Sequence, residues 1–144
     1  MTVAKILQSK GTSAVFTVTP DRTVADAASE LSERRIGSLV VSEDGEEALG
    51  ILSERDIVRE IGRRGTTCLN ETVGEMMTPD PVTCEKGDRA DDVLAKMTRG
   101  RFRHMPVVEG GKMIGIITLG DVVKYRLEEV KMEKEALEGM IMGF

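Results

Sequence analysis

Gly115-Ile116-Ile117-Thr118-Leu119-Gly120-Asp121 decides the fold, because Gly50-Ile51-Leu52-Ser53-Glu54-Arg55-Asp56 precedes it with the same pattern. Glycine, hydroxyl and carboxylate fall at matching places in the two copies. Each copy begins with apolar residues suited to a buried strand, then passes through a hydroxyl residue into a helical pattern. Ser53 and Thr118 are therefore expected to cap helices. Asp56 and Asp121 then sit in the first turn, where a carboxylate complements the free N–H groups and the positive end of the dipole. One such sequence is an ordinary cap that needs no ligand. Its repetition points to two related units in one chain.

Outward from the motif, the two halves continue to match. Thr2 to Gln8 and Thr72 to Met77 both read as short lead-in helices, with Thr2 and Thr72 as caps and Glu75 completing a capping box. Ala14 to Val18 and Pro81 to Cys84 are short extended pieces. Val24, Ala27, Ala28 and Leu31 follow the spacing of an amphipathic helix, as do Ala90, Val93, Leu94 and Met97. Ser38 to Val41 and His104 to Val108 are strands, each joined to the motif strand by a glycine-containing turn. Each unit thus reads strand, helix, strand, strand, helix, an α/β (α+β) arrangement. Two such halves packed sheet to sheet would share a core. The expected divisions are 1–66, 67–128 and a helical extension 129–144, with the polar stretch Arg63 to Glu71 as a linker across the face of the pair. In the last helix Val123, Leu127, Val130, Lys134, Leu137 and Ile141 alternate steps of four and three, a coiled-coil-like seam about three heptads long. Met132, Met140, Met142 and Phe144 add adaptable apolar surface, which suggests self-association or docking of a partner.

Composition bounds the function. The chain has 144 residues, enough to bury a core, and a formal net charge of −5, which disfavours nonspecific binding to nucleic acid. A local basic patch at Arg99, Arg101, Arg103 and His104 is the exception, but no helix-turn-helix pattern or stacking surface accompanies it. No apolar run approaches the roughly 20 residues that span a bilayer. The first residues lack the apolar core of a signal peptide, so a cytoplasmic protein without a membrane anchor is expected. Cys68, Cys84 and the single His104 have no metal-ligand spacing and offer no nucleophile and base pair. Neither a metal site nor an enzyme is expected.

The two motif copies, together with Arg103-His104-Met105-Pro106-Val107-Val108 and the order of elements, resemble the tandem CBS-domain pair, or Bateman module. The resemblance covers roughly residues 10 to 128 and extends to small stand-alone two-CBS proteins of bacteria. It implies two βαββα repeats related by a pseudo-twofold axis, no catalytic cofactor, a homodimer, and regulation of a separate, unknown partner protein. It also implies adenosine ligands, such as AMP, ATP, NAD(H) or S-adenosylmethionine, in the cleft between repeats. A carboxylate accepting from both ribose hydroxyls agrees with Asp56 and Asp121.

By that analogy one site would combine Asp121, Thr118 and Ile116 with Thr19, Ile36, Gly37 and Ser38. The other would combine Asp56 and Ser53 with Phe102, Arg103 and His104, with Phe102 packing on a base. Arg103 and His104 would meet phosphates, helped by Arg101 and Lys124. Glu85 stands where the first repeat has Thr19, and a carboxylate there would repel phosphate, which ranks the Asp121 site first. The alternative is a dimeric scaffold that binds no small molecule and uses its terminal helix for recruitment.

Overall fold

The computed structural model describes residues 1–11 and 15–143; the expected strand start at Ala14 and the apolar Phe144 lie outside this range. Helix α1 (Val3–Ser9) opens the chain, followed by β1 (Thr17–Val18), α2 (Val24–Arg34), β2 (Ser38–Val41), β3 (Gly50–Ser53) and α3 (Glu54–Arg64). A 3-10 turn (Thr66–Asn70) leads to α4 (Val73–Met76) and β4 (Thr78–Pro79). The second half supplies α5 (Ala90–Gly100), β5 (His104–Glu109), β6 (Lys112–Thr118) and the long α6 (Leu119–Ile141). In the first lobe β1 runs parallel to β2, and β2, β3 and β4 pair antiparallel. In the second, β5 and β6 form the hairpin, and Cys84 bridges to Val107 in parallel at the position corresponding to β1. The two βαββα repeats pack together, as the sequence pattern implied.

The lead-in helices change places. The apolar face of α1, Val3 and Ile6, is buried with Val93, Met97, Met105 and Ile117 of the second repeat. The Val3 and Ala4 amides donate to the carbonyls of Asp88 and Lys86, which fixes that docking. Conversely, Val73 of α4 is buried among Val24, Leu31, Leu39 and Leu52 of the first repeat, and its amide donates to the Arg22 carbonyl. The result is two hydrophobic clusters, not the single shared core expected. Each small sheet gains cover for one face from the lead-in of the other half, and its opposite face, which carries the buried Val40 in the first repeat and Pro106 in the second, is left to the packing of the two repeats.

Two further expectations are corrected. Thr2 occupies the N-cap of α1, but its side chain makes no capping bond. The segment after α3 does not cross the face of the pair. It curls back on the first lobe, with Cys68 buried and Arg64 bridged to Glu71 at 2.7 Å. The Thr72 cap holds, accepting from the Glu75 amide, without the return bond from Glu75 that would complete a capping box; Thr23, not expected as a cap, caps α2 by accepting from the Asp26 amide. Main-chain pairing of Met113 with Glu46 at 2.8 Å joins the lobes through their hairpin ends.

Candidate functional site

In both copies of the motif the strand ends in a full capping box. The Asp56 amide donates to Ser53 Oγ, and Asp56 Oδ2 accepts from the Ser53 amide at 3.0 Å and from Ser53 Oγ at 2.9 Å. Thr118 and Asp121 repeat the amide contacts at 2.9 and 3.1 Å. Above each box, the first helical amide ties back to the preceding strand's entrance: Glu54 to the Gly37 carbonyl, Leu119 to the Arg103 carbonyl. Gly37 and Arg103 are thus equivalent positions, and so are Ser38 and His104, which pair with Ser53 and Thr118.

A cavity of about 480 Å³ opens beside the first box and is lined by both repeats. From the first half come Ser53, Asp56, Arg55, Arg59 and, beyond α4, Thr78 to Val82 except Pro79. From the second half come Gly100 to His104. The Asp56 side chain is 14% exposed, and Arg59 Nη2 donates to its Oδ1 at 2.9 Å. Phe102 is half-buried and bends back over Gly100, where a Cβ would fall 2.4 Å from the ring, so glycine is required for this pose. Arg101 holds a left-handed conformation, φ 57°, that turns the chain from α5 into this wall. Four arginines (Arg55, Arg59, Arg101, Arg103) and two acidic residues (Asp56, Asp80) share the lining. Such a wall concentrates anions.

His104 stands where the lobes meet, near Gly37 and Glu54. Burial lowers its pKa, and Arg103 adds to that, while the carboxylates of Glu54, Asp121 and Asp56 pull the other way. It is therefore a neutral hydrogen-bonding group near neutrality and not a cation.

The second box is engaged differently. Lys10, just past α1, places its Nζ 2.8 Å from Asp121 Oδ2 and donates to the Ile116 carbonyl at 2.9 Å. Burial pushes the Asp121 carboxyl up, but the hydrogen bonds from Lys10 and Thr118 outweigh it, and its pKa lies below the usual value. Asp121 lines neither described cavity. Ile36 and Gly37 instead line a groove of about 540 Å³ with Leu31, Ile57 and Val58 on the helical side of the first lobe. Thr19 is exposed, and its side chain holds Asp21. Lys124 is exposed and is not part of the 480 Å³ cavity. Among the described residues, the cavity of about 480 Å³ lined by both lobes lies at Asp56. Glu85 does not line it, since its amide is turned into a loop closed by Asp88.

Sequence reading missed Arg55, Arg59 and Lys10. The first two were legible as neighbours of Asp56 on one helical turn. Lys10 carried no signal, because nothing local ties it to Asp121. Among the described residues no group of metal-binding side chains is present, and no helix is long and apolar enough to cross a membrane.

Fold and cleft together define a pair of tandem repeats with a cavity lined by both. The chain belongs to the CBS-domain family, whose model matches residues 4–63 and 73–128. Modules of this family are regulatory and not catalytic, and this chain is of that kind. It is similar to the mitochondrial CBS domain-containing protein CBSX3 of Arabidopsis thaliana, 34% identical over 99% of this chain and 72% of the relative. Among solved structures, the CBS-domain containing protein ATU1752 from Agrobacterium tumefaciens is 40% identical with a TM-score of 0.83, covering 88% of this chain and 99% of that one. CBSX2, solved in complex with AMP, is 30% identical with a TM-score of 0.67, covering 79% of this chain and 88% of its own.

Proposed function

We propose that this chain is a regulatory module that binds an adenosine phosphate in the cavity at Asp56 and passes its occupancy to a separate protein. The observation that carries this reading is the set of four arginines that share, with the capping-box carboxylate of Asp56, the lining of a cavity formed by both repeats. The carboxylate suits a ribose diol, Phe102 offers a face to the base, and Arg55, Arg101 and Arg103 meet phosphate oxygens. A ligand gripping both lobes biases their relative arrangement through unequal affinity for the alternatives. The AMP bound by the relative CBSX2 supports the ligand class. The charge of the wall narrows it: AMP, ATP and NAD carry anionic phosphate, whereas S-adenosylmethionine carries a sulfonium cation that four arginines repel.

Calorimetry with AMP, ATP, NAD and S-adenosylmethionine tests this directly. The phosphate compounds are expected to bind and S-adenosylmethionine to give no heat. At about a hundred times its dissociation constant the ligand should stabilise the fold by roughly 2.7 kcal/mol. Arg103→Ala should weaken binding by about tenfold to a hundredfold, the worth of a hydrogen bond to a charged group. Tight binding of S-adenosylmethionine with none of the phosphates would overturn the assignment.

A further inference from the structure

We propose that His104 makes nucleotide binding proton-linked: its imidazole is neutral in the free protein and takes up a proton when a phosphate group enters the cavity, so acidification strengthens binding. The inference rests on the reading of that cavity as an adenosine-phosphate site. His104 is the chain's single histidine, and it lines the cavity next to Phe102 and Arg103. It opens β5 and pairs with Thr118, so it stands between the cavity and the second capping box. The first repeat has Ser38 at the equivalent position, where no charge can form. The ring is half-buried and turns Nε2 toward the other lobe. That atom and Glu54 Oε1 each lie 3.7 Å from the point where a Cβ on Gly37 would fall.

The charges around the ring decide its state. Glu54 and Asp56 act on it from α3 and Asp121 from α6, while Arg103 precedes it in the chain. Two of these carboxylates are already spent, Asp56 on Arg59 at 2.9 Å and Asp121 on Lys10 at 2.8 Å. Burial and then Arg103 therefore prevail, and they hold the imidazole below its ordinary 6.5. A phosphate brings no cation of its own. Meeting Arg103, it offsets the one positive neighbour of the ring and adds up to two negative charges to the same wall. An anion so placed favours the imidazolium, which donates to a phosphate oxygen from either ring nitrogen. The sign of the effect follows from linkage. A base whose pKa the ligand raises contributes affinity that is complete below the free value and is lost as pH rises through the bound one. The four arginines keep their charge throughout, so they give affinity without a slope. Of the residues lining the cavity, only His104 has an ordinary pKa between 5 and 8.

The test uses the full chain and AMP, with adenosine as the phosphate-free control. Because the histidine is single, its ring gives one unambiguous NMR signal, and the wild-type protein suffices. Saturation with AMP should raise the midpoint of its pH titration, and adenosine should leave it unmoved. Calorimetry at pH 7.5 in two buffers of different ionisation heat should show proton uptake with AMP. Affinity for AMP should rise about threefold to tenfold from pH 9 to pH 7, a range in which its phosphate stays mainly dianionic. His104→Gln keeps a donor but cannot titrate, so it should remove both the uptake and the slope. AMP binding without proton uptake, a midpoint that moves equally with adenosine, or uptake that survives His104→Gln would each overturn this inference alone. No binding of AMP at any pH would overturn the ligand assigned to the cavity as well.

Discussion

The two motif copies fold alike and are used differently. Ser53 with Asp56 and Thr118 with Asp121 build the same capping box. Opposite the first box stands Phe102-Arg103-His104, and the equivalent segment of the other repeat is Ile36-Gly37-Ser38, with no charge and no aromatic ring. The first carboxylate therefore looks into a cationic cavity, while the second is held by Lys10 from beyond α1. The backbone motif supplies a carboxylate at a helix start in each repeat. What that carboxylate meets is decided by the opposite repeat.

The largest test of this comparison concerns the motif glycines, which the exchanged lead-ins press on. A Cβ at Gly50 would fall 2.5 Å from Met77 Sδ and 2.8 Å from the Thr78 carbonyl, backbone that has no room to move. At Gly115 it would meet only the Leu7 side chain, at 3.0 Å. Gly50→Ala should cost about 1–3 kcal/mol in urea unfolding, and Gly115→Ala distinctly less because Leu7 can change rotamer. Equal costs would contradict the asymmetry.

Next in size is Lys10→Met. The Lys10 and Asp121 side chains are each 23% exposed, so their pair is partly shielded and should be worth about 1 kcal/mol near neutral pH. Asp121 has a folded pKa below its ordinary 3.8. Its contribution is fully present above the unfolded value and fades as pH falls through the lowered folded one. Thermal unfolding from pH 7 down to pH 2 should therefore show wild type and Lys10→Met converging in acid. A difference that stays constant across that range would break the assignment of the ion pair.

The smallest expected effect is Arg59→Ala. Arg59 reaches the equivalent carboxylate from its own helix, but its side chain is 56% exposed, so stability should change by no more than about 0.5 kcal/mol. Its loss should be felt in nucleotide affinity instead. A larger stability loss than for Lys10→Met would show that the two carboxylates are held in the opposite order.

Much of this molecule was legible before folding was considered. Caps at Ser53, Thr72 and Thr118, the amphipathic spacing of α2 and α5, and the hairpins rest on interactions within a few residues of one another, so the sequence displays them. The grouping of Asp56 with Phe102, Arg103 and His104 came from family likeness and is reproduced in one cavity. In the other grouping, Asp121 is held by Lys10, Ile36 lines the outer groove and Thr19 is exposed.

By itself the sequence determined the repeat, its strand and helix order, the two capped carboxylates and the seam on the last helix. All depend on local spacing and on the match between halves. Only the tertiary structure decided that α1 covers the second lobe and α4 the first, that two cores replace one, and that the cavity lies at Asp56. Those outcomes turn on which apolar face finds cover and which cation reaches a carboxylate. Residues far apart in the chain compete for both, and periodicity carries no record of the winner.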